Sequence, residues 1–118
     1  MAVAKTRMIG GDDEVVPTAI GDMASRIAER FQPHRIILFG SQARGTPNYH
    51  SDVDLLVVME DGTDKRDAAI EIGRAVMDSP VAKDIVVTTP DEIERRGNLV
   101  GTVLRAALRE GVTLYERP

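Results

Sequence analysis

Two groups of residues in the middle of the chain combine types and spacing that suit the binding of anions and cations. Gly40-Ser41 and Arg44 form a small turn that can bring backbone N–H groups, a hydroxyl and a guanidinium up to phosphate oxygens. Asp52 and Asp54 follow at the start of an apolar run. Because side chains at i and i+2 of a strand leave the same face, these carboxylates would converge as hard oxygen ligands for Mg²⁺. Together the two groups suit a metal-bound triphosphate.

Each group also has a simpler explanation when it is taken alone. A Gly-Ser pair after a strand is often only a turn with a serine N-cap. Asp52 could be a charge that limits pairing at a strand edge, and Asp54 could be a turn residue. An unpaired carboxylate inside the apolar sequence Val53-Asp54-Leu55 would be costly to bury, however, so a cation is its natural partner. The combination of both groups therefore favours a binding site.

The hydropathy pattern predicts alternating helices and strands that would position these residues in an α/β (α+β) sheet. The predicted elements are a helix from Thr18, its N-cap, to Pro33; strands over residues 35–39, about 52–59 and 84–88; a helix from the cap Asp64 to Ser79-Pro80; and a helical region over residues 90–110, broken near Gly97 or Gly101. In that last region we expect five apolar residues to face inward: Val100, Val103, Leu104, Ala107 and Leu108.

Length and composition limit the classes of protein that fit. The chain has 118 residues, which suits one compact domain over residues 18–118 behind a flexible leader at 1–17. A hydrophobic content of 42% with 29% charged residues is typical of a soluble globular protein, and the formal charge of −4 argues against direct nucleic-acid binding. The N-terminus has no apolar region of the kind found in signal peptides, and no apolar stretch approaches a membrane span, so we expect a cytoplasmic protein. The absence of cysteine excludes a disulfide framework and a thiolate metal site.

Two stretches carry a resemblance to a known family. Gly40-Ser41-Gln42-Ala43-Arg44-Gly45 and Ser51-Asp52-Val53-Asp54-Leu55 resemble the signature of the minimal nucleotidyltransferase (MNT) family, within the DNA polymerase beta-like nucleotidyltransferase superfamily. The similarity extends over most of the chain beyond about Thr18. It implies a small mixed β-sheet flanked by helices. Within the family, the chain resembles the antitoxin of HEPN/MNT toxin–antitoxin pairs.

The resemblance also implies roles for individual residues, with ATP as substrate and two Mg²⁺ ions. The implied catalytic and metal-binding residues are Asp52, Asp54 and Asp84, and the implied nucleotide-binding residues are Gly40, Ser41, Arg44 and Ser51. Asp84 matches a third acidic position that opens a later strand in the family, although it could instead be simple polarity at a strand edge. A Walker-type NTPase is disfavoured because the chain lacks the Gly-x-x-x-x-Gly-Lys-Ser/Thr run.

Three functions remain open. The leading hypothesis is a protein adenylyltransferase-like enzyme that transfers AMP to a hydroxyl of a helical HEPN-type toxin, because the chain has no room for a separate acceptor-binding domain. The alternatives are nucleotidyl transfer to a small molecule such as an aminoglycoside and a non-catalytic module that binds a nucleotide or a partner. A homo-oligomer and a hetero-oligomer both remain open. Four arginines are candidates for a basic face toward an acidic partner or the phosphates: Arg95, Arg96, Arg105 and Arg109.

Overall fold

The computed structural model describes residues 15–40, 43, 52–99 and 101–118. The described chain mixes helices and strands, with two consecutive strands after the first helix and two consecutive helices before the last strand. In order, the elements are α1 (Val15–Phe31), β1 (Arg35–Phe39), β2 (Val53–Val58), α2 (Lys65–Ala75), β3 (Lys83–Thr88), α3 (Pro90–Arg96), α4 (Val103–Glu110) and β4 (Val112–Glu116).

The four strands form one mixed sheet in the order β3-β2-β1-β4. Strand β1 is antiparallel to both of its neighbours, whereas β2 and β3 are parallel and are joined through α2. A parallel pair needs such a crossover because the chain must return to the end of the sheet at which the first strand began before the second strand can start. The predicted small mixed sheet flanked by helices is confirmed.

Helices α1 and α2 cover one face of the sheet and enclose the main core. Apolar residues of α1 at helical spacing, among them Ile20, Met23 and Ile27, pack against alternate residues of the strands, such as Leu38 and Leu55. All five are no more than 1% exposed. The side chain of Asp64 caps α2 by accepting a hydrogen bond from the Asp67 N–H at 3.0 Å, as predicted.

Helix α4 covers the opposite face over a smaller core, in which Ile37, Leu56 and Ala107 are buried. A Cβ atom at Gly111 would overlap the Ala107 carbonyl and the Ile37 side chain, so glycine lets the end of α4 lie directly on β1. Because side chains alternate along a strand, Asp54 shares this face with Leu56. The face under α4 therefore carries both a core and a carboxylate.

Strand β4 is absent from the sequence predictions, and its irregular pairing explains why. Ile36 pairs with Tyr115 and Ile37 with Thr113, so Leu114 is an extra residue opposite β1. The bulge lets the consecutive residues Leu114 and Tyr115 both enter the main core, where each is 1% exposed. The alternating pattern expected of a strand is thereby lost.

The helix predictions need three corrections. Helix α1 begins at Val15 rather than after Thr18, because Pro17 is tolerated in a first turn, where its missing N–H costs nothing. Helix α2 ends at Ala75, before the predicted Ser79-Pro80. Val103 does not face inward but is 53% exposed, whereas Ala107 is buried and both Leu104 and Leu108 are half-buried. The predicted break in the C-terminal helical region is confirmed, since α3 and α4 are separate helices.

Two predictions fall on residues outside the described ranges: the inward orientation of Val100 and the flexible leader, of which residues 1–14 are not described. Among the helices of the described ranges, none has both the length and the hydropathy that crossing a bilayer would require.

Candidate functional site

An acid-lined pocket opens where the first residues of β2 and β3 meet the end of β1 and the side of α4. Asp54 lies directly opposite Asp84 in the parallel register, so both side chains leave the same face of neighbouring strands. Both line the pocket, which has a volume of about 320 Å³. Two carboxylates that are 30 positions apart in the chain are thus adjacent in the fold.

Gly40 completes the strand side of this pocket. It follows β1 with φ of +79°, a conformation that side-chain-bearing residues rarely adopt. A Cβ atom built on Gly40 would overlap the carboxylate of Asp54. The position therefore requires glycine for two independent reasons, backbone conformation and space beside Asp54.

The predicted site residues are only partly brought together. Gly40, Asp54 and Asp84 line the pocket, and Asp54 is half-buried while Asp84 is exposed. Asp52 lies one residue before β2 and is exposed, without lining the pocket. Three predicted nucleotide-binding residues, Ser41, Arg44 and Ser51, lie outside the described residues.

The donor set suits a divalent cation, although it is smaller than predicted. Among the described residues, no group of three or more Asp, Glu or His side chains is arranged to hold a metal ion. The pair Asp54 and Asp84 nevertheless offers hard oxygen ligands from two rigid strands. Mg²⁺ is commonly bound through one or two carboxylates, with the remaining ligands supplied by water and substrate phosphates. The pair therefore fits a metal that binds together with a nucleotide.

Helix α4 supplies a wall of the pocket that was not expected from the sequence. Val103, Ala106 and Glu110 line it together with the carboxylates of the strands. Thr102 caps the start of the helix, and its hydroxyl accepts a hydrogen bond from the Arg105 N–H at 3.1 Å. The signal that could have revealed this wall is the spacing of positions 103, 106 and 110, which places them on one side of a helix.

The pocket is also bounded by apolar residues, which limit what can bind beside the carboxylates. Phe39 and Val86 line it and are half-buried, packing against the small core under α4. The pocket therefore combines carboxylates at the starts of β2 and β3 with apolar side chains at the end of β1 and further along β3.

Comparisons with known proteins agree with this geometry. The family model of the nucleotidyltransferase domain matches residues 21–112. A solved structure of a candidate nucleotidyltransferase from Sulfolobus solfataricus is similar with a TM-score of 0.58 at 19% sequence identity, covering 92% of this chain and 93% of that chain. A second solved structure, a toxin-antitoxin with AMP-PNP, is similar with a TM-score of 0.51 at 24% identity, covering 81% of this chain and 73% of that chain.

The curated proteins gave no match to this chain. At identities below a quarter, the two solved structures establish a shared fold and leave the reaction open. The family model is more specific, because it matches the chain directly over residues 21–112, which is most of its length. The chain therefore belongs to the nucleotidyltransferase domain family.

Proposed function

We propose that this protein is a metal-dependent nucleotidyltransferase that transfers AMP from ATP to a hydroxyl group of a partner protein. The observation that carries the proposal is the placement of Asp54 opposite Asp84, beside Gly40, in one pocket of a nucleotidyltransferase domain. Two carboxylates on adjacent strands offer a divalent cation hard oxygen ligands in such a pocket.

Asp54 and Asp84 would hold the metal, and Asp52, one residue before β2, is proposed as a further ligand. A divalent ion at these carboxylates supplies charge neutralisation for the phosphates and lowers the pKa of an acceptor hydroxyl. The chain's own contribution is to fix the two carboxylates on adjacent strands, so that little reorganisation is needed when nucleotide binds. Gly40 leaves room for a phosphate group to approach the backbone beside Asp54.

The proposed reaction is an in-line displacement at the α-phosphorus of ATP. The acceptor oxygen forms a bond to that phosphorus, and the bond from the phosphorus to the oxygen bridging the β-phosphate breaks. Pyrophosphate leaves, the hydroxyl proton passes to a carboxylate or to water, and the acceptor carries AMP as a phosphodiester. Ser41 and Arg44 are proposed to contact the β- and γ-phosphates, and Ser51 is proposed to bind the nucleotide; all three roles remain predictions.

The acceptor is proposed to be a HEPN-type toxin, which would make this protein the antitoxin of a cytoplasmic toxin–antitoxin pair. Support comes from the likeness of the fold to a toxin-antitoxin structure that contains AMP-PNP. The pocket lies beside the exposed side of α4, where a large acceptor has access. Adding AMP to a hydroxyl brings a negative charge and removes a donor, which would suit the inactivation of a phosphate-cleaving site.

Single carboxylate variants test the proposal. We expect Asp54→Asn to abolish Mg²⁺-dependent ATP binding in calorimetry, because an amide is a poor ligand for a hard dication. Asp84→Asn is expected to retain ATP binding but to lower transfer by about 100-fold or more, since it removes a ligand of the acceptor-activating ion. Asp22→Asn changes an exposed carboxylate on α1, across the sheet from the pocket, and is the matched control.

Transfer itself is measured with α-labelled ATP, Mg²⁺ and host lysate, followed by mass spectrometry of each labelled protein. Label on a hydroxyl side chain that depends on Asp54 supports the proposal. Label on an aminoglycoside and not on protein would replace the protein acceptor with a small molecule. A partner inhibited equally by the Asp52→Asn/Asp54→Asn variant, with no added mass, would replace transfer with neutralisation by contact.

A further inference from the structure

A second recess adjoins the acid-lined pocket along the exposed side of α4. Its volume is about 520 Å³, and it is lined by residues of α4 together with the turn at Gly101 and Thr102. Val103, Ala106 and Glu110 line both the recess and the pocket, so they form a shared ridge between the two. A molecule bound in the recess can therefore extend over this ridge to the carboxylates in the pocket.

Two arginines give the recess its positive charge. Arg105 and Arg109 are four residues apart on α4 and line the same recess. Within the described ranges neither forms a salt bridge, whereas Arg95 pairs with Asp91 at 3.0 Å and Arg74 pairs with Glu71 at 3.2 Å. The positive charge of the recess is therefore available to a ligand.

Exposed apolar surface lies beside these charges. Val103 is 53% exposed at the start of α4, and Leu99, four residues before it, is 47% exposed. Ala106 is exposed as well. Side chains of this kind give a binding partner apolar area to cover, in addition to the guanidinium groups.

We propose that the recess on α4 binds an acidic segment of the acceptor protein and so directs its hydroxyl into the pocket. Arg105 and Arg109 pair with carboxylates of that segment, and Val103 contacts one of its apolar side chains. The acceptor hydroxyl then crosses the ridge at Ala106 toward Asp54 and Asp84. This inference rests on the proposed transfer to a protein hydroxyl and names the chemistry that recognises the acceptor.

A polypeptide fits these features better than a nucleic acid does. The recess offers two guanidinium groups beside Glu110, too few positive charges for the closely spaced phosphates of a nucleic acid but enough for one or two carboxylates of a peptide. Among the residues that the structure describes, the lining includes no aromatic side chain on which a base could stack. An extended acidic peptide needs only the two guanidinium groups and apolar contact that the recess offers.

Another arginine-rich recess provides the comparison. It lies between α1 and α2, across the sheet, and is lined by Arg26, Arg30 and Arg74 with a volume of about 710 Å³. Two of these arginines are already neutralised, by Asp78 and Glu71. Arg30 is exposed in the last turn of its helix, as Arg109 is in α4, so charge reversal at the two positions perturbs the helix ends alike.

The test uses two synthetic peptides, one with a tyrosine flanked by glutamates and one with a tyrosine flanked by lysines. With α-labelled ATP and Mg²⁺, we expect the native protein to label the glutamate peptide in preference. Arg109→Glu is expected to raise the KM for that peptide by about threefold or more, whereas Arg30→Glu leaves it unchanged. Arg109→Gln removes the charge without adding a carboxylate and repeats the test if Arg109→Glu does not fold.

Fluorescence anisotropy of the same labelled peptides separates this inference from the proposed transfer. One outcome is that no peptide is labelled, although the glutamate peptide binds and Arg109→Glu abolishes this binding. The proposed transfer to such hydroxyls would then be wrong, whereas the proposed binding of acidic segments in the recess would be supported. Equal binding of both peptides, or equal weakening by Arg30→Glu and Arg109→Glu, overturns the recess proposal. Tighter binding of a single-stranded oligonucleotide than of the glutamate peptide also overturns it, in favour of a nucleic-acid surface.

Discussion

At the scale of single residues, Gly40 links backbone geometry to the placement of charge. Its positive φ turns the chain away from β1, and the missing side chain leaves space for the carboxylate of Asp54. Asp54 is paired with Phe39 in the antiparallel register, so the glycine that follows Phe39 necessarily lies beside it. Any side chain at position 40 would displace the carboxylate that we propose to bind metal.

We predict that Gly40→Ala lowers both the free energy of unfolding and ATP binding. Gly62 is the matched control, since it has φ of +88° but a Cβ atom added there would meet nothing within 4 Å. Gly62→Ala should cost about 1 kcal/mol for the left-handed conformation alone. Gly40→Ala should cost about 1 kcal/mol more, because the Asp54 side chain must also shift. Chemical denaturation and calorimetry measure the two effects, and equal costs at both glycines would contradict the contact with Asp54.

At the scale of secondary-structure elements, Glu92 ties three of them together. It lies in the first turn of α3, where its carboxylate accepts a hydrogen bond from the Thr88 hydroxyl at 2.6 Å. The Lys65 ammonium at the start of α2 donates to the other oxygen at 2.9 Å. Both hydrogen bonds hold the pKa of Glu92 below its ordinary value, and the hydrogen bond from Thr88 has the larger effect.

A pH-dependent loss of stability follows from this lowered pKa. A carboxylate whose pKa is depressed in the folded state contributes stability above its unfolded pKa of about 4.3, and the contribution disappears as pH falls through the folded pKa. We expect Glu92→Gln to lower the free energy of unfolding by about 1 kcal/mol at pH 7, with the difference vanishing in acid.

Urea denaturation between pH 7 and pH 3 measures this difference. Glu94→Gln, an exposed change in the same helix, is the control and should alter stability little at any of these pH values. If the Glu92→Gln difference grew on acidification, the assigned direction of the pKa shift would be wrong.

At the scale of the whole molecule, the sheet separates two cores of unequal size. The face under α1 and α2 buries residues from all of the strands, whereas the face under α4 fully buries Ile37, Leu56 and Ala107. The pocket and the recess both lie along α4, on the side with the smaller core. Less buried apolar area holds this helix in place, so its position is the part of the site most open to adjustment by a ligand.

Hydrogen exchange should reveal the difference between the two faces. We predict that amides of α4 exchange at least about tenfold faster than amides in the middle of α1, because local opening of α4 exposes less apolar surface. ATP with Mg²⁺ should slow exchange in α4 more than in α1, since the nucleotide would contact the α4 wall. Uniform protection of both helices would indicate instead that the domain opens only as a unit.

The sequence by itself determined the elements with long, regular hydropathy patterns and the residues suited to the chemistry. The apolar spacing of α1, the runs in β1 and β2, and the cap at Asp64 are local features, so their structures agree with the predictions to within a few residues. Gly40 and Asp54 were identified from their types beside apolar strands and Asp84 from the family resemblance, and all three line the pocket. The roles of these three residues, like those of Asp52, Ser41, Arg44 and Ser51, stay predictions.

Only the tertiary structure decided the arrangement of the site. The register that places Asp54 opposite Asp84 is set by packing between strands that are distant in sequence. The orientation of α4 was equally hidden, because Val103 and Leu104 are both apolar and only contact with β1 and β2 selects which one turns inward. The bulge in β4 has the same origin, since burial of Leu114 and Tyr115 against α1 outweighs regular alternation. Local pattern fixes which residues are able to do the chemistry, whereas long-range packing fixes which of them meet.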